Sequence, residues 1–158
     1  DTDMVSLSRW RGNVHAKAYN RNFVGDAFTN RIGYLDDDTF TEFGDPLRFR
    51  AVSPSIHNDG GTVFLDSLEF IMQTGVGLIT GQGSDPKMVL DWSDDDGATF
   101  KPFTMSLSLG AIGERTRRIR ATGLGSFTNR CYRLTITDPV ERCLVSVVPK
   151  LKGGLKYS

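Results

Sequence analysis

The sequence predicts an all-β protein, an antiparallel sandwich or barrel-like module, and three observations carry that prediction. Gly and Pro punctuate the 158 residues at short intervals, which interrupts helices and favours turns. Between them, apolar and polar side chains alternate with the period of two that marks half-buried strands. No stretch repeats its apolar residues at the three-and-four spacing of an amphipathic helix.

The elements follow in chain order. "VHAKAYNRNFVGDAFTNRIGYL" reads as two or three short strands with turns at Gly25-Asp26 and Thr29-Asn30. "LDDDTFTEFGDP", residues 35 to 46, reads as a boundary, giving residues 1–38 and 39–158 as separate regions. The first region either closes an upstream, propeller-like domain, as the last strands of a truncated propeller, or packs on the body. A lone hairpin would not be stable by itself. The second region holds eight or so segments at spacings that suit a sandwich or barrel. In "TVFLDSLEFIMQT" one face carries Phe64, Leu68, Phe70 and Met72, with Asp66 as the exception. In "KMVLDWS" Met88, Leu90 and Trp92 share a face, and Lys87, Asp91 and Ser93 the other. "RCYRLTITDP" sets Tyr132, Leu134 and Ile136 against Arg133, Thr135 and Thr137. Connections of hairpin length make the pairing antiparallel.

Composition narrows the function. Apolar residues at 39% and charged residues at 24% make a globular chain with one ordinary core. Lys plus Arg equals Asp plus Glu, 19 each, so nucleic acid would be met only by a local patch. No run approaches the ~20 apolar residues of a membrane-spanning helix. The chain starts at Asp1 without a signal peptide, which reads as a processed end or a domain boundary. No N-x-Ser/Thr sequon occurs. Cys131 and Cys143 are read as reduced, buried thiols, with a single bridge as the alternative.

The stretch with the most chemistry to offer is "SDDDGATF", Ser93 to Phe100. An EF-hand alignment with Gly97 at its sixth position puts Trp92 first and Phe103 twelfth, where oxygen ligands are required. "LDDDTF" fails similarly at Phe40. A turn explains the stretch better: Gly97 supplies positive φ, and an Asp folds its carboxylate back onto backbone N–H groups. The order S-x-D-x-G-x-T-F over Ser93, Asp95, Gly97, Thr99 and Phe100 resembles the Asp-box hairpin of sialidase-type propeller blades. That resemblance implies that Asp95 and Thr99 brace the turn, that Phe100 plugs the layer beneath, and that the motif lies away from any catalytic centre. Asp94 and Asp96 are read as solvated neighbours.

Catalytic residues, metal ligands and cofactor sites are not assigned. His15 and His57 sit in unrelated segments, far from any nucleophile elbow. Two Cys and two His without short ligand spacing do not make a zinc site. A glycosidase fragment would need paired carboxylates at about 5–10 Å, which a sequence does not reveal. "GVGLITGQG" lacks the spacing, the following helix and the Lys-Ser/Thr of a phosphate loop. It is read as a β-connection whose glycines serve turns or a close approach to a neighbouring chain. Arg115, Arg117, Arg118 and Arg120 are read as one strand, with Arg118 and Arg120 facing one way and Arg115 and Arg117 the other. Three readings of that segment stay open: a solvated or intramolecularly paired strand, a subunit interface, or contact with nucleic-acid phosphate.

Taken in order, "FVGDAFTNRIGYLDDDTFTEFGDPLRFR", "TGVGLITGQGSDPKMVLDWSDDDGATF", "SLGAIGERTRRIRATGLG" and "RCYRLTITDPV" resemble the C-terminal part of the packaged-DNA stabilisation proteins of short-tailed phages. These build the tail tube, or nozzle, beneath the portal. The resemblance spans Arg11 to Val140, with its most specific pieces at Gly81 to Pro86, Trp92 to Gly97 and Leu109 to Gly113. Asp96 stands where that family commonly has Gly, and "KLKGGLKYS" at the end has no counterpart in it. The resemblance implies a non-enzymatic virion tail component, assembled in the host cytoplasm without a cofactor. It implies a homo-oligomeric ring, contacts with other tail and portal or adaptor proteins, and non-specific contact with packaged DNA. The alternative is a carbohydrate- or receptor-binding β-module, for which Trp10 and Trp92 are few and scattered.

Overall fold

The computed structural model describes residues 9–101 and 105–151, and the end segment "KLKGGLKYS" lies outside them from residue 152 onward. The chain divides into two compact units, Asp1–Thr39 and Phe40–Ser158.

In the first unit, β1 (Gly12–Ala18), β2 (Arg21–Asp26) and β3 (Ile32–Tyr34) form an antiparallel meander in that order. The turn between β1 and β2 falls at Tyr19 and Asn20, both at positive φ (50° and 59°), the backbone of a two-residue type I′ hairpin. The turn expected at Gly25-Asp26 is not there: Gly25 is a strand residue paired with Val14 on one side and Ile32 on the other. Asp26 instead ends β2 and braces the connection to β3. It accepts from Arg11 Nη2 at 2.6 Å, from the Phe28 N–H at 3.2 Å and from Thr29 Oγ1.

The second unit opens with a small hairpin, β4 (Thr41–Glu42) and β5 (Asp45–Pro46). Its body is a sandwich of two antiparallel sheets. One runs β10 (Met105–Ser108), β9 (Lys87–Ser93), β13 (Asn129–Ile136), β6 (Phe49–Val52), with β7 (Ile56–His57) also pairing β13. The other is centred on β8 (Val63–Met72). It carries β11 (Ile119–Thr122) and β12 (Ser126–Phe127) as partners, and β14 (Leu144–Leu151) as a further one. The inner faces meet in one core: Leu65, Leu68 and Phe70 from β8, Met88 and Leu90 from β9, Leu134 and Ile136 from β13, Ile119 and Ala121 from β11. Each of the Leu, Ile, Met and Phe side chains among them contributes roughly 1.5–3 kcal/mol of burial, and together they make the two sheets one cooperative body.

In β9 and β13 the apolar set Met88, Leu90, Leu134 and Ile136 points inward as the sequence suggests, but the other face is covered too, so that Asp91, Ser93 and Cys131 are also buried. β8 does not keep one phase. Val63 and Leu65 are buried and Phe64 is exposed, then Ser67 and Leu68 are buried in succession, after which Phe70 continues the inward set. The cause is an irregularity in pairing. Lys150 faces Ser67 but Leu151 faces Leu65, which leaves Asp66 as the extra residue. A bulge of one residue exchanges the two faces of a strand, so Phe64 belongs to the solvent face, contrary to the uniform alternation.

The glycine-rich connection from β8 to β9 closely approaches a segment of its own chain. A Cβ on Gly77 would lie 2.8 Å from the Ser84 carbonyl oxygen and 2.9 Å from the Ile112 nitrogen. Both thiols are free and Cys131 is buried, as expected, but Cys143 is exposed.

Candidate functional site

The acidic turn begins where β9 ends. Ser93 is fully buried, and its Oγ accepts the N–H of Gly97 at 2.9 Å and that of Asp95 at 3.3 Å while donating to Asp95 Oδ1. Asp95 in turn accepts the Thr99 N–H at 2.9 Å and the Thr99 hydroxyl. These donors favour the charged form: the bond from Ser93 first, then those from Thr99, hold the Asp95 carboxyl down at about 2. The chain reverses through Asp96 (φ 58°) and Gly97 (φ 88°). A Cβ on Gly97 would meet Cys131 Sγ at an ordinary 3.6 Å, so conformation rather than space selects glycine there. Phe100 is half-buried beneath the Arg133 guanidinium, 4.0 Å from its ring centre.

Asp94 and Asp96 are exposed, as the sequence suggested, but each is also tied to residues outside the turn. Arg130 binds Asp94 through two nitrogens, at 2.5 and 3.2 Å, and Lys101 Nζ reaches the same carboxylate at 2.8 Å. Asp96 Oδ1 accepts Ser55 Oγ at 2.6 Å and Asn129 Nδ2 at 2.5 Å. Arg130 foremost lowers the pKa of Asp94, and Ser55 foremost that of Asp96. The three acids thus serve three ends: Asp95 closes its own turn, Asp94 ties it to β13, and Asp96 ties it to the β6–β7 connection.

Arg130 is the residue that sequence reasoning missed. Its side chain is 7% exposed, lies between the Trp92 and Phe127 rings at 5.0 and 4.5 Å, and donates to the Leu124 carbonyl at 2.7 Å. Arg133, on the opposite face of β13, donates from Nε and Nη2 to Asp91 Oδ2 on β9. The signal that was available is "RCYR" itself. A cation on the apolar face of an alternating strand requires a charged or hydrogen-bonding partner, and here the partners are the Asp94 carboxylate, which itself reaches solvent, and the Leu124 carbonyl.

The arginine segment does not form one strand. Arg115 and Arg117 lie in the connection before β11, Arg118 immediately precedes that strand, and Arg120 lies within it. Arg117 pairs with Glu114 at 2.9 Å, Arg118 with Glu69, and Arg120 with Asp66 at 3.1 Å. Lys150 reaches Glu69 at 3.4 Å, so charges of alternating sign cross β11, β8 and β14 on the outer face of that sheet. Arg118, first among its partners, draws the Glu69 pKa down. Half-exposed Ile71 and Val148 share this face. Exposed pairs of this kind stabilise little and leave their cations available to solvent.

At one side of the sandwich the sheets part into an apolar cleft of about 410 Å³. Val52, Pro54 and Ile56 line it from one sheet, and Leu144, Val147 and Pro149 from the other. Among the described residues no group of His, Cys, Asp or Glu is arranged to hold a metal ion. His15 is hydrogen-bonded to Asn22 in the first unit, while His57 lies on β7 in the second. Among the described residues no helix is long and apolar enough to cross a membrane.

A family model described as "Bacteriophage P22 Gp10, beta-sandwich" matches residues 48–147, from just before β6 into β14 and over well more than half of the chain. The chain belongs to the bacteriophage P22 Gp10 β-sandwich family. The matched region holds both sheets apart from the end of β14, the acidic turn and the whole arginine segment. Membership in the Gp10 sandwich family makes this a phage virion structural protein, a component that meets other virion proteins. It also favours a structural over a catalytic role. No curated protein matches the chain.

Proposed function

We propose that this protein is a building block of the tail nozzle of a short-tailed phage. It joins copies of itself into a ring beneath the portal, docks further tail proteins, and helps to hold the packaged DNA in the head. Membership of the Gp10 sandwich family carries this reading. The resemblance over Arg11 to Val140 names the nozzle. The sandwich is the scaffold, the acidic turn is an Asp-box-like brace within it, and the arginine segment is the contact surface. Arg115 and Arg117 suit an interface best, because they are exposed and lie outside the strands. A neutral chain with a local concentration of arginine suits contacts that are mostly protein to protein.

The test uses phage particles assembled with the wild-type chain or with Arg115→Glu combined with Arg117→Glu. The double variant should fold and melt like the wild type, fail to enter particles, and leave heads whose DNA becomes accessible to nuclease. Normal incorporation together with full retention of DNA removes the proposal.

A further inference from the structure

The β4–β5 hairpin is too short to hold itself. Each strand is two residues long, and even longer isolated hairpins are marginal in water. One tie that secures both of its ends comes from the connection between β13 and β14. Arg142 Nη1 donates to the Leu47 carbonyl and Nη2 approaches the Phe40 carbonyl at 3.5 Å, so one guanidinium spans both ends of the hairpin. The position of Arg142 is itself well determined. Val140 on one side is fully buried, and on the other the Cys143 carbonyl accepts the Gln73 N–H at 3.0 Å. A planar fork with five N–H donors serves two carbonyls at once, which a lysine ammonium on its flexible stem does less well.

On the N-terminal side the bonds are of another kind. Leu35 donates its N–H to the Asn22 carbonyl at 2.9 Å and so belongs to the meander. From Asp36 to Thr39 the side-chain bonds among the described residues stay within the stretch: Asp36 accepts Asp38 N–H at 3.4 Å and Thr39 Oγ1 at 2.6 Å. The boundary between the two compact units falls directly after this stretch. We propose that Arg142 is a clamp that makes the β4–β5 hairpin part of the sandwich and leaves Asp36–Thr39 as the hinge of the chain.

A protease that cuts before aspartate reads both halves of this proposal in one digestion of the full chain. Asp36, Asp37 and Asp38 report the hinge and Asp45 the hairpin, resolved by mass spectrometry of the early fragments. In the wild type, cleavage at the hinge should run well ahead of cleavage before Asp45. Arg142→Ala should speed cleavage before Asp45 about tenfold and leave the hinge rate unchanged, since losing bonds to a charged donor raises the population of the locally open form. Arg142→Lys should fall between, and is read in the same way should the alanine variant not fold. Asp45 cleaved as fast as the hinge in the wild type, or at an unchanged rate in the variants, overturns the clamp.

Discussion

A carboxylate at the end of a strand is a candidate ligand or a brace, depending on whether its oxygens are already committed. Asp95 accepts from Ser93 and twice from Thr99, so it has little left for a metal or a substrate. The same bonds make its charge state part of folding. Its pKa in the folded chain, about 2, lies below the ordinary 3.8. Ionised Asp95 therefore stabilises the fold fully above about pH 4, and that contribution is lost as the pH falls through 2. Asp95→Asn removes the titration but leaves an amide oxygen for the Thr99 N–H. Denaturant midpoints at pH 5 and pH 2.5 should differ more for the wild type than for Asp95→Asn. Equal differences would mean that the turn does not depend on this carboxylate.

At the scale of elements, the connections decide as much as the strands do. The segments around Gly77 and Ile112 pack backbone against backbone, with no room for a methyl group. Neither neighbour is a flexible side-chain end that can swing away, so Gly77→Ala must shift a loop. It should cost about 2 kcal/mol in urea denaturation, as overpacking commonly does; an unchanged midpoint would show that the loops separate freely. The same scale explains what the sequence did and did not reveal. β9 and β13 were legible because their pairing is regular and one face of each is the core. The phase change in β8 was not, because a bulge at Asp66 is a property of the pair of strands and not of either alone. The Tyr19–Asn20 turn was hidden because neither residue is the glycine that usually signals positive φ. In the acidic turn the bonds among Ser93, Asp95 and Thr99 span at most four residues and could be reasoned locally. Asp94 and Asp96 find partners 36 and 41 residues away, at Arg130 and Ser55, and only the fold brings these together.

The whole molecule is two units of unequal self-sufficiency. Phe40–Ser158 owns a continuous core, with Met88, Leu90 and Ile136 wholly inaccessible to water. Long-range ties such as Asp94 to Arg130 are internal to it. Asp1–Thr39 has a three-stranded meander whose pairing sets Val14 beside Gly25 and Gly25 beside Ile32. Val14 and Ile32 nevertheless remain 64% and 77% exposed. Three short strands that bury so little apolar surface do not offset the entropy of ordering their backbone, even with Asp26 bracing the second connection. The two pieces should therefore separate cleanly in behaviour. A fragment of residues 40–158 should unfold in one cooperative transition and give dispersed amide resonances, whereas residues 1–39 alone should give the narrow dispersion of an unfolded peptide. A well-dispersed spectrum from the short fragment would mean that its hairpin turn and the Arg11–Asp26 pair suffice to fold it. A non-cooperative transition from the long fragment would mean that the sandwich needs its N-terminal unit in order to form.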